Sequence, residues 1–489
     1  MINKKLDIQY AKELIGWAYY DMRWLSEAEA KKANKKRNEL LQSMAGKVNS
    51  NFLGNKIGLG NLSPGCMTCG QGTWSCLFIG SLCTAKCFYC PQDRKKTRNE
   101  PPTESGLLFD NPDDYVDYLE KFKFKGVGFS GGEPLLKYEK LLMYIRKIRA
   151  RLGKEIYIWV YTNGDLVTKN KLNAFKKVGL NEIRFDISAR NYDLHAVKVA
   201  AGIIDTVTIE IPAIPEDYEI VKRCLPRLKA IGVAHLNLHQ LHASRHCYHN
   251  FMARQYTFLH QPDSPVLETE MTALRLIKYA VDNKIGLPIN YCSTIYKNRF
   301  QKKGYRERLQ HFIRQRYEGL TESGFIRRIA IHDTTENIKK LVKVFRENKH
   351  DDRLWLFNKK NKELYFHHSL MKHIDFKKHC LILNYFVPQL TAKGNENDET
   401  HRAIALNVRR NIYVGRILVY QTKIKNPVTA KSFQELFIEK KNYRDVLKTF
   451  YRDFELKTKA DVPNMMNEKE NLDYWKIWEF IGSGLSEIY

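Results

Sequence analysis

From residue 75 to about residue 295 the sequence alternates between short strand-like runs and amphipathic helical runs. The strand-like runs are SCLFIG, GVGFS, EIYIWVYT, EIRFDIS, TVTIEIP, AHLNLHQ and LPINYCS. Helical segments such as YEKLLMYIRKIRARLG and EMTALRLIKYAVDNK separate them. Strands that alternate with helices predict a parallel sheet, and six or seven such units predict an α/β fold, a partial (β/α)6-7 TIM-like barrel.

Several of these runs carry apolar residues on one face and polar residues on the other. The polar face of EIRFDIS holds Arg184, Asp186 and Ser188. Glu210 in TVTIEIP and His239 in AHLNLHQ lie on the corresponding faces of their strands. In a barrel the helices cover the outside, so apolar side chains should point outward. The polar faces are predicted to line a lumen that takes a ligand; a stack of hydrogen-bonded polar core residues is the alternative.

Cysteine usage indicates metal chemistry. Six of the ten cysteines fall within 25 residues, at positions 66, 69, 76, 83, 87 and 90. The sequence starts without the apolar run of a signal peptide, and no run reaches the ~18 apolar residues of a membrane-spanning helix. We therefore expect a cytoplasmic protein without a membrane segment, in which clustered cysteines bind metal or catalyse more often than they form disulfides.

Cys83, Cys87 and Cys90 have the spacing C-x3-C-x2-C and follow the first barrel strand, at the end where active sites of such barrels lie. Three thiolates leave one iron of a four-iron cluster open, and an open position is typical of catalytic metal sites. With Tyr89 in the aromatic place, the run resembles the C-x3-C-x-aromatic-C signature of radical S-adenosylmethionine (radical SAM) enzymes. The resemblance implies that the three cysteines hold a [4Fe–4S] cluster that binds SAM.

A second element of the resemblance follows the next strand. Gly131, Gly132, Glu133 and Pro134 are similar to the family's GGEP motif, which binds the amino group of the methionine part of SAM. Glycines let backbone carbonyls approach closely, and Glu133 adds negative charge near the ammonium. The resemblance covers about residues 60–300, and PGCMTCGQGTWSCLFIGSLCTAKCFYCP is most similar to uncharacterised proteins related to pyruvate formate-lyase activating enzymes.

The resemblance also implies a mechanism and further contacts. The reduced cluster would cleave SAM to methionine and a 5′-deoxyadenosyl radical, which takes hydrogen from a substrate; flavodoxin or ferredoxin would supply the electron. Further contacts to SAM are expected from Tyr89, Asn163, Asp186 and Ser188. Glu210 and His239 are the candidate catalytic residues, for substrate binding or proton handling, and His239 is equally consistent with a hydrogen-bonded polar core residue.

Other cysteines and histidines leave alternatives open. Cys66, Cys69 and Cys76 suggest a second metal, an iron–sulfur cluster or zinc, although buried thiols without metal fit equally well. Cys292 ends the seventh strand and could face the lumen. The run HQLHASRHCYHN at residues 239–250 should lie at the mouth of the barrel, where its histidines could bind substrate or metal.

The charge balance favours an anionic partner. Lys and Arg number 81 and Asp and Glu 54, which gives a net charge of +27. Between residues 297 and 360, basic residues mix with aromatic ones, as in RNA-binding surfaces, but a solvated basic face would look the same. The basic residues considered are Lys302, Lys303, Arg306, Arg308, Arg314, Arg316, Arg327 and Arg328.

These observations predict three segments: a helical N-terminal segment (1–60) that passes into a Gly- and Asn-rich loop at 51–74, the barrel (61–300) and a smaller, basic α+β C-terminal domain (301–489). The favoured function is a radical SAM enzyme that modifies RNA, with protein as the next choice of substrate. A glycyl-radical-enzyme activase is the second enzyme hypothesis. An iron–sulfur or zinc nucleic-acid-binding module is the alternative without catalysis, and it would not need a GGEP loop.

Overall fold

The computed structural model describes residues 11–13, 15–92, 100–261, 263–391, 401–458 and 462–485. Within these residues the strands form two sheets of eleven and seven strands. No helix in this part of the chain combines the length and the apolar character that a membrane crossing requires.

The larger sheet contains the predicted parallel strands. Its order is β1-β2-β11-β10-β9-β8-β7-β6-β3-β4-β5, and the seven strands from β11 to β3 are parallel. The strands are β1 (Asn49–Asn51), β2 (Lys56–Leu59), β3 (Trp74–Gly80), β4 (Thr103–Glu104), β5 (Leu107–Leu108), β6 (Gly126–Gly131), β7 (Tyr157–Thr162), β8 (Glu182–Phe185), β9 (Thr206–Pro212), β10 (His235–His239) and β11 (Ile289–Cys292). The predicted α/β partial barrel is confirmed.

Helices connect the parallel strands and cover their outer faces. They are α1 (Glu27–Ser43), α2 (Pro64–Gly70), α3 (Pro112–Lys121), α4 (Tyr138–Leu152), α5 (Lys169–Lys177), α6 (His195–Ala201), α7 (Tyr218–Ile231), α8 (Tyr248–Met252), α9 (Leu267–Asp282), α10 (Thr294–Tyr296) and α11 (Lys302–Ile313). A π-helical turn, Lys297–Gln301, joins α10 to α11. Local sequence sets several boundaries: Ser26 and Glu29 form a capping box at α1, and Gly232, with φ of 92°, ends α7.

The alternating strands bury both faces, as expected of a barrel. Ile183, Phe185, Val207 and Ile209 are fully buried in the core under the helices. The polar partners of these residues turn the other way, into the lumen, where Arg184 reaches Glu210 on the next strand. The period of two in the sequence therefore separates core from lumen.

Residues 49–70 differ from the predicted loop. Strands β1 and β2 extend the sheet beyond β11 in antiparallel fashion, and α2 begins at Pro64 with Ser63 as its N-cap. Helix α2 lies across the end of the barrel where the strands begin, since Gly65 packs against the side chains of Glu182 and Arg184. Pairing with a distant strand, β11, makes β2 a strand, so local composition could not indicate it.

The second sheet is antiparallel and has the order β14-β15-β13-β16-β18-β17, with β12 beside β13. The strands are β12 (Gly319–Leu320), β13 (Ile326–His332), β14 (Trp355–Asn358), β15 (Glu363–Phe366), β16 (Leu381–Thr391), β17 (Arg402–Asn407) and β18 (Arg410–Ile424). The helices of this region are α12 (Thr335–Glu347), α13 (Pro427–Phe433), α14 (Tyr443–Thr458) and α15 (Val462–Glu479), and the π-helical turn Gln434–Ile438 follows α13. The smaller α+β unit after the barrel is confirmed, whereas its limits at residues 300 and 301 remain a proposal.

Candidate active site at the rim of the barrel

The rim cysteines, Cys83, Cys87 and Cys90, lie on the loop after β3, and all three are free thiols. Cys83 is exposed, and its sulfur accepts a hydrogen bond from the backbone N–H of Ala85 at 3.4 Å. Burial, followed by the charge of Asp186, raises the pKa of Cys87 to about 11. Because thiolates are the ligands, loading a metal here must release protons.

The donor set at this loop fits the implied cluster. Iron–sulfur clusters are held by cysteine thiolates, and the three cysteines share one loop, in which the Cys90 N–H donates to the Cys87 carbonyl at 3.2 Å. In the part of the chain that the structure describes, no three His, Cys, Asp or Glu side chains are arranged to hold a single metal ion. The loop supplies the three thiols that the implied cluster requires.

The GGEP loop is joined to the start of the cysteine loop by its backbone. The N–H of Gly132 donates to the carbonyl of Gly80 at 2.9 Å, and the N–H of Glu133 donates to the carbonyl of Leu82 at 2.7 Å. A Cβ on Gly131 would overlap the Gly80 oxygen, and one on Gly132 would overlap the Leu82 oxygen. Gly131 also has φ of 134°, which favours glycine. The two glycines are needed to bring the loops together.

Glu133 points into the protein and is only 2% exposed. Its Oε1 accepts hydrogen bonds from Thr162 Oγ1 at 2.9 Å and from the Leu135 N–H at 3.1 Å, and its Oε2 accepts one from the Asn163 N–H at 2.8 Å. Pro134 opens the short turn that follows. This carboxylate ties the GGEP loop to the turn after β7, and a direct contact to an ammonium stays a prediction.

Asn163 joins that turn to the cysteine loop. Its Nδ2 donates to Thr84 Oγ1 at 2.9 Å and lies 3.8 Å from Cys83 Sγ, while its Oδ1 accepts from the Asp165 N–H. The structure therefore places the YTNG turn beside the cysteine motif, and the contact of Asn163 to SAM stays a prediction.

Tyr89, Asp186 and Ser188 form a compact hydrogen-bonded group. The Tyr89 hydroxyl donates to Asp186 Oδ2 at 2.9 Å and lies 2.6 Å from Ser188 Oγ, which itself donates to Asp186 Oδ1 at 2.5 Å. Burial, and then the Asp186 charge, raises the pKa of Tyr89, so the phenol keeps its proton. The aromatic residue of the cysteine motif thus anchors the loop to the end of β8.

Further down the lumen, Glu210 and His239 belong to a longer polar chain. His239 Nε2 lies 2.7 Å from Glu210 Oε1, and Arg184 donates to Glu210 Oε2 at 2.8 Å. On its other side, His239 Nδ1 lies 3.2 Å from the Lys297 ammonium. Burial and Lys297 lower the pKa of His239. The neutral ring then accepts from Lys297 and donates to Glu210.

Burial works to raise the pKa of Glu210, but the Arg184 guanidinium and His239 outweigh it, so the pKa is lowered and the carboxylate stays ionised. Arg184 itself lies between two carboxylates, since its Nε is 2.9 Å from Glu182 Oε1. The sequence analysis placed Arg184 on the polar face without assigning it a role. Lys297 was only the first residue of a basic segment, and no local signal tied it to His239.

The cysteines of the proposed second metal group come from two different elements, and two of them accept hydrogen bonds from side-chain amides. Cys66 Sγ accepts from Asn237 Nδ2 at 3.3 Å, and Cys69 Sγ accepts from Gln301 Nε2 at 2.6 Å. Burial raises the pKa of Cys69, and Cys292 is the next largest influence on it. We call Cys66, Cys69 and Cys292 the lumen cysteines.

Cys76 lies on β3 opposite Gly128 of β6, whereas Cys66 and Cys69 lie on α2. Cys66 and Cys69 are one helical turn apart on α2, which accounts for the C-x2-C spacing. The third lumen cysteine, Cys292, comes from β11, whereas Cys76 lies on β3. The structure gives no support to a metal on Cys66, Cys69 and Cys76.

Three arginines of the basic segment after residue 297 are engaged within the protein. Arg306 is 8% exposed and donates to the Ser323 carbonyl, and Arg308 donates to the Gly72 carbonyl. Arg327 forms a buried ion pair with Glu479. These three guanidinium groups hold the protein together, whereas Lys302, Arg314 and Arg316 are exposed, and an RNA contact through them stays a prediction.

Comparison with known proteins agrees with the geometry of the rim. Residues 77–234 match the radical SAM superfamily. A candidate glycyl-radical enzyme activating enzyme of Methanocaldococcus jannaschii is 29% identical over 301 residues, which are 59% of this chain and 78% of the relative. Residues 77–234 are therefore a radical SAM domain, and the chain is related to proteins of the glycyl-radical-enzyme activase type. Its cofactors are a [4Fe–4S] cluster and SAM, and the interpretation as a binding module without catalysis is wrong.

Two solved structures are also similar. SuiB of Streptococcus suis, bound to its precursor peptide SuiA, is 14% identical, with 43% of each chain covered and a TM-score of 0.28. Coproporphyrinogen III oxidase (HemN) of Escherichia coli is 14% identical, with 50% of this chain and 58% of that chain covered and a TM-score of 0.29. The chain thus spans about half the length of these two proteins.

Proposed function

We propose that Cys83, Cys87 and Cys90 hold the SAM-cleaving cluster and that the GGEP loop, Asn163 and the Tyr89 group bind SAM beside it. Held by these three thiolates and reduced, a [4Fe–4S] cluster would supply the electron for cleavage of the sulfonium C–S bond of SAM to methionine and a 5′-deoxyadenosyl radical. The observation that carries this assignment is the convergence at one rim of four segments that follow different strands. Backbone and side-chain hydrogen bonds join these segments to one another.

The chain's own residues position the reactants and shield them. Tyr89, held by Asp186 and Ser188, fixes the cysteine loop against β8. Glu133 holds the GGEP loop beside Asn163, from whose N–H it accepts a hydrogen bond. Glu210 and His239 lie on the neighbouring strands and face the lumen, where a substrate would meet the radical. Preorganised polar groups of this kind orient reactants without further rearrangement.

For the substrate, we favour a protein, as in activation of a glycyl-radical enzyme. The similarity to the candidate glycyl-radical enzyme activating enzyme of Methanocaldococcus jannaschii supports this choice, since the match covers most of that protein. RNA remains a second candidate because the net charge of +27 attracts anionic macromolecules. The buried arginines after residue 297 do not offer a contact surface to RNA.

The test begins with anaerobic reconstitution of the full chain with iron, sulfide, reductant and SAM. We expect 5′-deoxyadenosine to form and to form faster with the true substrate. A glycyl-radical enzyme partner should then show a protein-radical signal in electron paramagnetic resonance. If 5′-deoxyadenosine does not form in protein with a full complement of iron, the cluster assignment is wrong. If RNA alone accelerates the formation of 5′-deoxyadenosine, the proposal of a protein substrate is wrong.

A further inference from the structure

Four basic side chains meet where β10 and β11 end and β2 begins. His239 pairs in register with Cys292, and the Lys56 ammonium acts electrostatically on the Cys292 thiol. Lys297 Nζ lies 3.2 Å from His239 Nδ1, and the Lys297 charge also acts on His242. We call Lys56, Lys297, His239 and His242 the basic corner.

The carboxylates around the basic corner are engaged elsewhere. Glu210 bonds Arg184 and reaches the corner only through the His239 ring. Asp263, the other nearby carboxylate, forms its ion pair with Lys302 at 3.1 Å and interacts with His242 and Lys297 only at longer range. Among the residues that the structure describes, no carboxylate forms an ion pair with Lys56 or Lys297. The corner therefore carries two cations that have no carboxylate partner.

Hydrogen-bond donors at the corner are also left over. Lys297 has three N–H groups, and the described residues provide one acceptor for them, His239 Nδ1. Nδ1 of His242 is buried and has no hydrogen-bond partner in the described part of the chain. Lys56 is 2% exposed and lies 4.2 Å above the ring of Tyr296. The side chain of His239 keeps 24% of its surface exposed, so the corner can be reached from the lumen mouth.

We propose that the basic corner binds an oxyanion of the substrate, a carboxylate or a phosphate group. Buried charge without a counter-charge is unfavourable, and an oxyanion supplies both the missing charge and the missing acceptors. The proposal rests on the proposed function, because it takes the lumen mouth beside the SAM site as the substrate chamber. It adds that the substrate is held by a negative group at the β10–β11 side while its reacting hydrogen faces the rim cysteines.

The probes are inorganic phosphate and acetate, added to the reconstituted enzyme at constant ionic strength. An anion that binds the native state raises the melting temperature in a saturable way, which gives its Kd. We expect Lys297→Gln to weaken the tighter of the two anions about 10-fold or more, as loss of a charge-assisted hydrogen bond should. Lys297→Arg should stay within about threefold of the parent. The matched control is Lys303→Gln, whose ammonium pairs with Glu307 on its own helix.

SAM also has a carboxylate, so its Kd is measured in the same variants. An unchanged SAM Kd together with weaker oxyanion binding supports a substrate subsite, and the tighter anion shows whether its group is a phosphate or a carboxylate. The proposal is overturned if neither anion binds the parent, if Lys297→Gln binds as the parent does, or if this variant loses SAM affinity to the same degree. Formation of 5′-deoxyadenosine reports on the cluster separately, so either proposal can fail alone.

Discussion

The rim cysteines and two of the lumen cysteines, Cys66 and Cys69, lie close in sequence, yet the protein uses them differently. The rim cysteines follow one another along one loop, and Cys83, which is exposed, accepts hydrogen bonds from the local N–H of Ala85 and from Asn163 Nδ2 at 3.8 Å. In the lumen, the Cys66 and Cys69 sulfurs accept hydrogen bonds from side-chain amides that come from distant strands and turns.

The difference concerns what each thiol must give up to bind metal. Cys66 and Cys292 are buried, whereas Cys83 is exposed and Cys87 and Cys90 are half-buried. A lumen thiol that turned toward a metal would give up the hydrogen bond from its side-chain amide. Cysteine spacing alone therefore does not identify a metal site, and the burial and hydrogen-bond partners of each sulfur distinguish the two groups.

The largest expected effect is at the rim. Cys83→Ala, Cys87→Ala and Cys90→Ala should each reduce 5′-deoxyadenosine formation by about 10³-fold or more, because each removes a proposed cluster ligand. Product would be quantified by mass spectrometry beside iron content. Cys380→Ala, in the antiparallel sheet unit, is the control and should keep parent activity. Parent-level activity in any rim variant would refute the assignment.

The next effect tests the polar chain of the lumen. Glu210→Gln should lower the free energy of unfolding by about 3 kcal/mol at pH 7, since Arg184 loses one of its two carboxylates. Because the folded-state pKa of Glu210 is depressed, its contribution is present above its ordinary value of 4.5 and is lost as pH falls below it. Denaturant titrations at pH 7 and at low pH should therefore show a smaller difference between parent and variant at low pH.

A smaller effect tests how the rim is joined. Gly132→Ala should destabilise the protein by about 2 kcal/mol and weaken SAM binding, because its Cβ would overlap the Leu82 oxygen and push the GGEP loop away from the cysteine loop. Gly202→Ala is the matched control, since nothing lies within 4 Å of its Cβ position. Equal SAM affinity in both variants would show that the close approach of the loops is not needed.

The smallest effect is expected at the lumen thiols. Cys66→Ala should cost about 1 kcal/mol of stability through the lost contact to Asn237, with unchanged iron content and SAM cleavage. Cys224→Ala, a buried thiol on the outer helix α7, should cost a similar amount. A loss of bound iron or zinc in the Cys66 variant alone would show that the lumen cysteines do bind metal.

Prediction from sequence succeeded where the signal is local. The alternation in EIRFDIS and TVTIEIP indicated which residues face the lumen, and the spacing of the cysteines indicated a site on one loop. It failed at β2, which is a strand because it pairs with β11. It also failed at Arg306 and Arg308, whose charge suggested a surface although their guanidinium groups bond backbone carbonyls inside the protein.

The sequence by itself determined the order of strands and helices, the glycines of the GGEP loop and the cysteine triad, because each is encoded within a few consecutive residues. Only the tertiary structure decided which charges meet. Arg184 and Glu210 are 26 residues apart, and His239 and Lys297 are 58 apart. Their pairing depends on strand register and on the direction of each side chain in the closed lumen, so it exists only once the parallel strands have assembled.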